Sequence, residues 1–126
     1  MKPPPGAPVF VYGTLRTGGG RESLLTGPRR AATTRGALWD LPAGYPALQL
    51  GPAGVVYGER VDGVSDAQLQ VLDLYEGVAE GLFRRVPVMV AADDGEAYAW
   101  AWVMDEPRSR GGRRVPTGRW RRLRER

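Results

Sequence analysis

Glu76 stands in Leu72-Asp73-Leu74-Tyr75-Glu76-Gly77, a segment that reads as the last turn of a helix with Gly77 as its stop. A carboxylate there faces the negative end of the helix dipole, and Asp73 lies three residues back on the same face. Both effects push the pKa of one acid upward, the direction needed by a group that takes and returns protons near neutral pH. The chain contains neither histidine nor cysteine. That excludes a Ser-His-Asp triad, a thiolate nucleophile, an imidazole metal ligand and a cysteine-based zinc or iron-sulfur site. Proton transfer therefore falls to a carboxylate. The ordinary alternative is a solvated glutamate at a helix end.

A second candidate lies near the start of the chain. Val9-Phe10-Val11-Tyr12 is a β-branched and aromatic run closed by Gly13, so it reads as a buried strand entering a loop. In Tyr12-Gly13-Thr14-Leu15-Arg16, consecutive backbone amides could converge on a carboxylate or an oxyanion, with Gly13 free to adopt φ > 0. A plain strand-ending turn is the alternative. Glu59, within Gly58-Glu59-Arg60, is either a second acid of the site or the solvent-facing member of an alternating strand. Tyr45-Pro46 forms a turn that could line a pocket, and Arg84-Arg85 could pair with core acids. Asp93-Asp94-Gly95-Glu96 lacks the spacing of a calcium loop and reads as a polar hairpin turn, so no metal and no cofactor is expected.

These residues need elements to position them. Ser65 is a helix N-cap, with Gln68 as capping-box partner, Asp66 complementing the dipole and Val64 placed to staple to Leu69. Ala67, Val71 and Leu74, beside Leu69, Leu72 and Tyr75, give a wide apolar stripe toward a core. Short segments at 33–41, 47–50 and 55–61, separated by Gly- and Pro-rich turns, predict a strongly curved antiparallel sheet or barrel. Segments 83–92 and 97–104 predict a closing hairpin, with Tyr98, Trp100 and Trp102 on one face. A short helix is expected at 22–25.

At 126 residues, 42% hydrophobic and 25% charged, the chain is sized and composed for one globular domain. Residues 1–8 form a Pro-rich leader, 9–105 the domain, and 106–126 an Arg-rich tail, read as extended or disordered. Residues 1–105 hold 9 basic against 12 acidic side chains, whereas 106–126 hold 9 Arg against 2 Glu, so the net +4 comes from the tail. No stretch approaches a signal h-region or the roughly 20 apolar residues of a membrane span, so a cytoplasmic protein without a membrane partner is expected.

Taken in order, Val9-Phe10-Val11-Tyr12-Gly13-Thr14-Leu15-Arg16, Tyr45-Pro46-Ala47-Leu48, Gly58-Glu59, Leu72-Asp73-Leu74-Tyr75-Glu76-Gly77 and Phe83-Arg84-Arg85 resemble the gamma-glutamylcyclotransferase superfamily, AIG2-like branch. The resemblance spans residues 9–103. It implies an α+β fold, a small mixed β-barrel with flanking helices. It further implies conversion of a γ-glutamyl amine or γ-glutamyl amino acid to 5-oxoproline with release of the amine. By the same resemblance Glu76 maps onto the catalytic glutamate, and the substrate is bound by Tyr12, Gly13, Thr14, Leu15, Tyr45 and Arg85. Two positions depart from the family pattern. Arg21-Glu22 stands where many members carry Asn-His, and Phe83 replaces the usual tyrosine of a Tyr-x-Arg element.

Two further readings compete with an enzyme. One is a non-enzymatic module whose pocket holds a small carboxylate ligand. The other is nucleic-acid contact through the arginines from Arg113 to Arg126, with Trp120 available to stack a base. A solvated tail is the plainer reading of that block.

Overall fold

β1 (Val9–Val11) is only three residues long, yet it is buried on both faces and bordered by strands on both edges. Its alternation sends Val9 and Val11 into one apolar cluster and Phe10, with the following Tyr12, into another. A computed structural model describes residues 6–121 and shows how the rest of the chain is arranged around this strand. β1 pairs antiparallel with β5 (Val55–Val61), β5 with β2 (Arg29–Arg35), β2 with β6 (Arg84–Ala92), and β6 with β7 (Gly95–Val103). β7 returns to β1 in parallel at Val9 and Trp100, which closes a five-stranded barrel. β4 (Pro46–Gln49) joins the other end of β7 in parallel, followed by β3 (Ala37–Asp40) and β8 (Arg113–Arg114). The expected small mixed barrel is thus present, with a three-stranded extension.

Among the described residues one α-helix, α1 (Asp66–Tyr75), covers the barrel beside β1. Its N-terminus follows the sequence: the Ser65 hydroxyl accepts from the Gln68 amide at 3.1 Å and the Gln68 side chain returns to the Ser65 amide. Its buried face is narrower than expected. Leu69 and Leu72 are buried, but Val71 is 51% and Leu74 76% exposed. The helix lies on the outside of a barrel, so a wide stripe has nothing on its flanks to meet. The expected helix at 22–25 is a single 3-10 turn, Glu22–Leu24. Among the described residues no helix is long and apolar enough to cross a membrane.

The expected strand at 33–41 is split at Gly36, where φ is +152° and a side chain would press on Gln49 and Leu48. Gly58 permits the close approach of β1 to β5, since a Cβ there would run into the Val11 carbonyl. The hairpin turn at Asp93-Asp94 is held by arginines, Asp93 by Arg30 at 2.6 Å and Asp94 by Arg60 at 2.7 Å.

Residues 107–121 depart most from the tail expected of the sequence. β8 pairs with β3, the Val115 amide donates to Leu38 O at 2.8 Å, and the Gly118 carbonyl accepts from Tyr57 at 2.9 Å. Trp120 is 4% exposed in the barrel-side core, and its indole N–H donates to Asp40 at 3.1 Å. The arginines stack on the protein's own rings: Arg119 lies 3.8 Å from the Tyr57 centroid, and Arg108 and Arg114 flank Trp39. Trp120 is therefore spent on the fold, so it offers no platform to a base. Residues 122–126 of the expected tail, and 1–5 of the leader, lie outside the described residues.

Trp120→Ala is expected to lower unfolding free energy by about 3–5 kcal/mol. Exposed Arg113→Ala is expected to stay within about 0.5 kcal/mol. Urea denaturation of both variants checks this, and equal midpoints would show that the segment contributes nothing to the core.

Candidate functional site

The loop after β1 is fixed from three directions. A Cβ on Gly13 would lie 2.8 Å from Pro46 Cδ, so only glycine lets the loop pass over the Tyr45-Pro46 turn. Gly13 does not have positive φ; the expectation of a left-handed glycine is replaced by this contact. Thr14 Oγ1 is hydrogen-bonded to the Tyr75 hydroxyl at 2.7 Å, joining the loop to the last turn of α1. The Thr14 carbonyl accepts from the Arg21 amide at 2.8 Å. Arg29, which the sequence reading passed over, donates to the carbonyls of Leu15, Glu22 and Leu25 and to Glu59 at 2.9 Å. Such a hub leaves no local pattern in sequence, because its partners are carbonyls. Among the described residues the amides of Gly13, Thr14 and Leu15 donate to no protein acceptor.

Glu59 fits neither of its two readings, since it lies outside the cavity that holds Glu76 and is partly buried in an ion pair rather than facing solvent. It accepts from Arg29 and from the Thr17 amide at 2.7 Å. Burial works against its charge, but those donors outweigh it and hold the carboxyl below its ordinary value.

At the end of α1, Gly77 takes φ +67° and closes a Schellman motif: its amide donates to Leu74 and that of Val78 to Asp73. Glu76 is the C-cap residue, half-buried, with the terminating backbone turned back around it. Asp73 on the preceding turn is held by Arg85 through two bonds of 2.9 and 3.1 Å and by the Trp102 indole at 2.9 Å. Arg85 itself stacks on Trp100, 4.6 Å from the ring centroid. The Glu76 carboxyl is pushed up to about 7, first by burial and then by the Asp73 charge.

Loop and helix end line one cavity of about 290 Å³, with Gly13, Thr14 and Leu15 on one side and Tyr75 and Glu76 on another. Tyr45, Pro46, Phe83 and Trp102 complete much of the wall, and the Tyr45 and Phe83 rings lie 6.1 Å apart. Of the six residues that the resemblance assigns to substrate, Tyr12, Gly13, Thr14, Leu15 and Tyr45 line this space. Arg85 does not. It is engaged with Asp73 and lines a separate surface cleft with Arg84. The Tyr12 side chain is also committed elsewhere: its hydroxyl donates to Trp102 O at 2.7 Å and accepts from the Leu48 amide at 3.0 Å. Burial, then the Glu76 charge, raise its pKa against the opposing Leu48 bond. The Tyr12 hydroxyl is therefore not free to meet a ligand. Arg21 also lines the cavity and was not assigned to substrate. Chemically, the cavity pairs an acid that titrates near neutrality with amides able to hold an anion.

The raised pKa has a consequence for stability. Between about pH 4.5 and 7 the folded chain keeps a proton on Glu76 that the unfolded chain has lost, so raising the pH removes stability across that window. Above 7 the full cost, about 3 kcal/mol, is in place. Wild type and Glu76→Gln compared by denaturant unfolding at pH 5 and pH 8 should differ by this amount, the glutamine variant being relatively more stable at pH 8. Parallel pH dependence in the two proteins would contradict burial of the carboxyl.

The chain matches the family model described as gamma-glutamyl cyclotransferase, AIG2-like, over residues 9–122. Comparison with curated proteins gives no match. Among solved structures, YkqA from Bacillus subtilis is similar at 25% identity and a TM-score of 0.70, covering 90% of this chain and 39% of its own, so the chain spans well under half of that protein. An AIG2-like protein from Mus musculus is similar at 22% identity and a TM-score of 0.67, over 78% of this chain and 76% of its own. A protein from Arabidopsis thaliana, solved in solution, is similar at 28% identity and a TM-score of 0.67, over 99% of this chain and 74% of its own. With the barrel, the loop and the helix end in the same chain as a family match from residue 9 to 122, the protein belongs to the gamma-glutamyl cyclotransferase, AIG2-like family.

Proposed function

We propose that this protein cyclises a γ-glutamyl amine or γ-glutamyl amino acid to 5-oxoproline and releases the amine, with Glu76 as the proton-transfer group. The observation that carries this reading is the placement of Glu76 and the unpaired Gly13, Thr14 and Leu15 amides on one cavity.

In that reaction the substrate's α-nitrogen bonds to its own γ-carbonyl carbon, and the carbon–nitrogen bond to the departing amine breaks. The nucleophile belongs to the substrate, so the lack of histidine and cysteine is no obstacle. The cavity's first task is to hold the folded, ring-closing conformer, the kind of positioning that makes intramolecular reactions fast. The α-nitrogen starts as an ammonium, with a pKa of about 8, and ends as a lactam N–H, losing two protons. The departing nitrogen starts as an amide N–H and ends as an ammonium, gaining two. Glu76 relays both and finishes as it began, and a pKa of about 7 suits both directions of transfer. The loop amides hold either the substrate carboxylate or the oxyanion that develops as the nitrogen attacks. Tyr45 and Tyr12 shape the wall, while Arg85 contributes indirectly by holding Asp73 beside Glu76.

Purified protein incubated with a panel of γ-glutamyl amines and amino acids should release 5-oxoproline. Glu76→Gln should lower kcat by about 10²- to 10⁴-fold. kcat/KM should rise with pH through about 7 as Glu76 ionises. No turnover across the panel, or a Gln variant as active as wild type, would defeat the proposal.

A further inference from the structure

The cavity contains two opposed charges, Glu76 and Arg21, and they are not paired with each other. Arg21 is the one cationic side chain among the described residues that line it. The Arg21 amide is tied to the Thr14 carbonyl at 2.8 Å, which fixes the root of the side chain against the substrate loop. Its guanidinium makes no ion pair, hydrogen bond or ring stack with any described residue, unlike Arg16, Arg29, Arg60, Arg84 and Arg85. An arginine is a planar five-donor group suited to a carboxylate. Here one opens onto the cavity with its donors unspent.

A charge count on the substrate shows what it could receive. If the reaction is the cyclisation proposed above, on which this inference rests, the glutamyl unit brings one ammonium and one carboxylate. Glu76 answers the ammonium, and the Gly13, Thr14 and Leu15 amides, where they take the first of their two roles, answer the carboxylate rather than the oxyanion. A neutral departing amine leaves Arg21 unanswered beside an apolar wall of Tyr45, Phe83 and Trp102. A departing amino acid carries one more carboxylate, on the carbon next to the breaking bond. We propose that Arg21 is the specificity-determining residue that binds this carboxylate, so that the substrates are γ-glutamyl amino acids in preference to γ-glutamyl amines. Arg21 is also exposed to solvent.

Two substrates of one shape test this: γ-glutamyl-alanine, and γ-glutamyl isopropylamide, in which a methyl replaces the carboxylate. Wild type should favour the alanine compound in kcat/KM by roughly 10- to 100-fold, the range of a charge-assisted bond. In Arg21→Met the ratio should collapse to about one, and Arg21→Lys should restore part of it. A wild-type ratio near one, or a ratio that survives in Arg21→Met while both substrates slow equally, overturns the assignment and leaves the cyclotransferase reading standing. Failure of wild type to turn over either compound overturns that reading and this assignment with it.

Discussion

Three residues, Val9–Val11, must satisfy two neighbouring strands and two apolar clusters at once, and the remainder of the structure is arranged around that demand. A strand with water on neither face has to be apolar throughout, which is why no polar residue interrupts it. Its pairing with β7 closes the barrel, and its pairing with β5 is so close that Gly58 has no room for a side chain. Because β1 is immobilised on every side, the loop that follows inherits a fixed origin. Gly13 over Pro46, Arg29 beneath Leu15 and Tyr75 against Thr14 then hold that loop open at its amides.

The helix end meets the loop under a different constraint. A carboxylate placed beside a second carboxylate in a partly apolar recess is unfavourable, and the structure confines the cost to one group. Asp73 is surrounded by donors from Arg85 and Trp102, while Glu76 receives no such donor from the described residues. One acid is thereby made structural and the other left poised. The arrangement also explains why Arg85 lies outside the cavity, since moving it to a ligand would strip Asp73 of two bonds.

How much of this was legible in the sequence depended on the range over which each feature is determined. The Ser65 cap, the Gly77 stop and the Asp93-Asp94 hairpin are set by neighbours within a few residues, and each was readable. The break at Gly36, the reason for Gly13, and the folding of Trp120 into the core are set by contacts with distant segments, and these were not. Dense arginine reads as a solvated tail until one knows that Trp39 and Tyr57 lie underneath. The upward shift at Glu76 was legible in direction through Asp73, but its principal cause is burial, which only the packed loop supplies. Apolar residues on α1 were countable, whereas which of them would find a neighbour was not.

The hydrogen bonds that seal the first strand and its loop bridge long stretches of chain: Tyr12 to Trp102 spans 90 residues and Arg16 to Trp120 spans 104. In kinetic terms this is a site of high contact order, whose entropy cost of closure falls due before its contacts form. β1 itself pairs with β5 across about 50 residues of chain and with β7 across about 90. Closing the barrel at Val9 and Trp100 and seating the loop after β1 thus draw on contacts of the same long range.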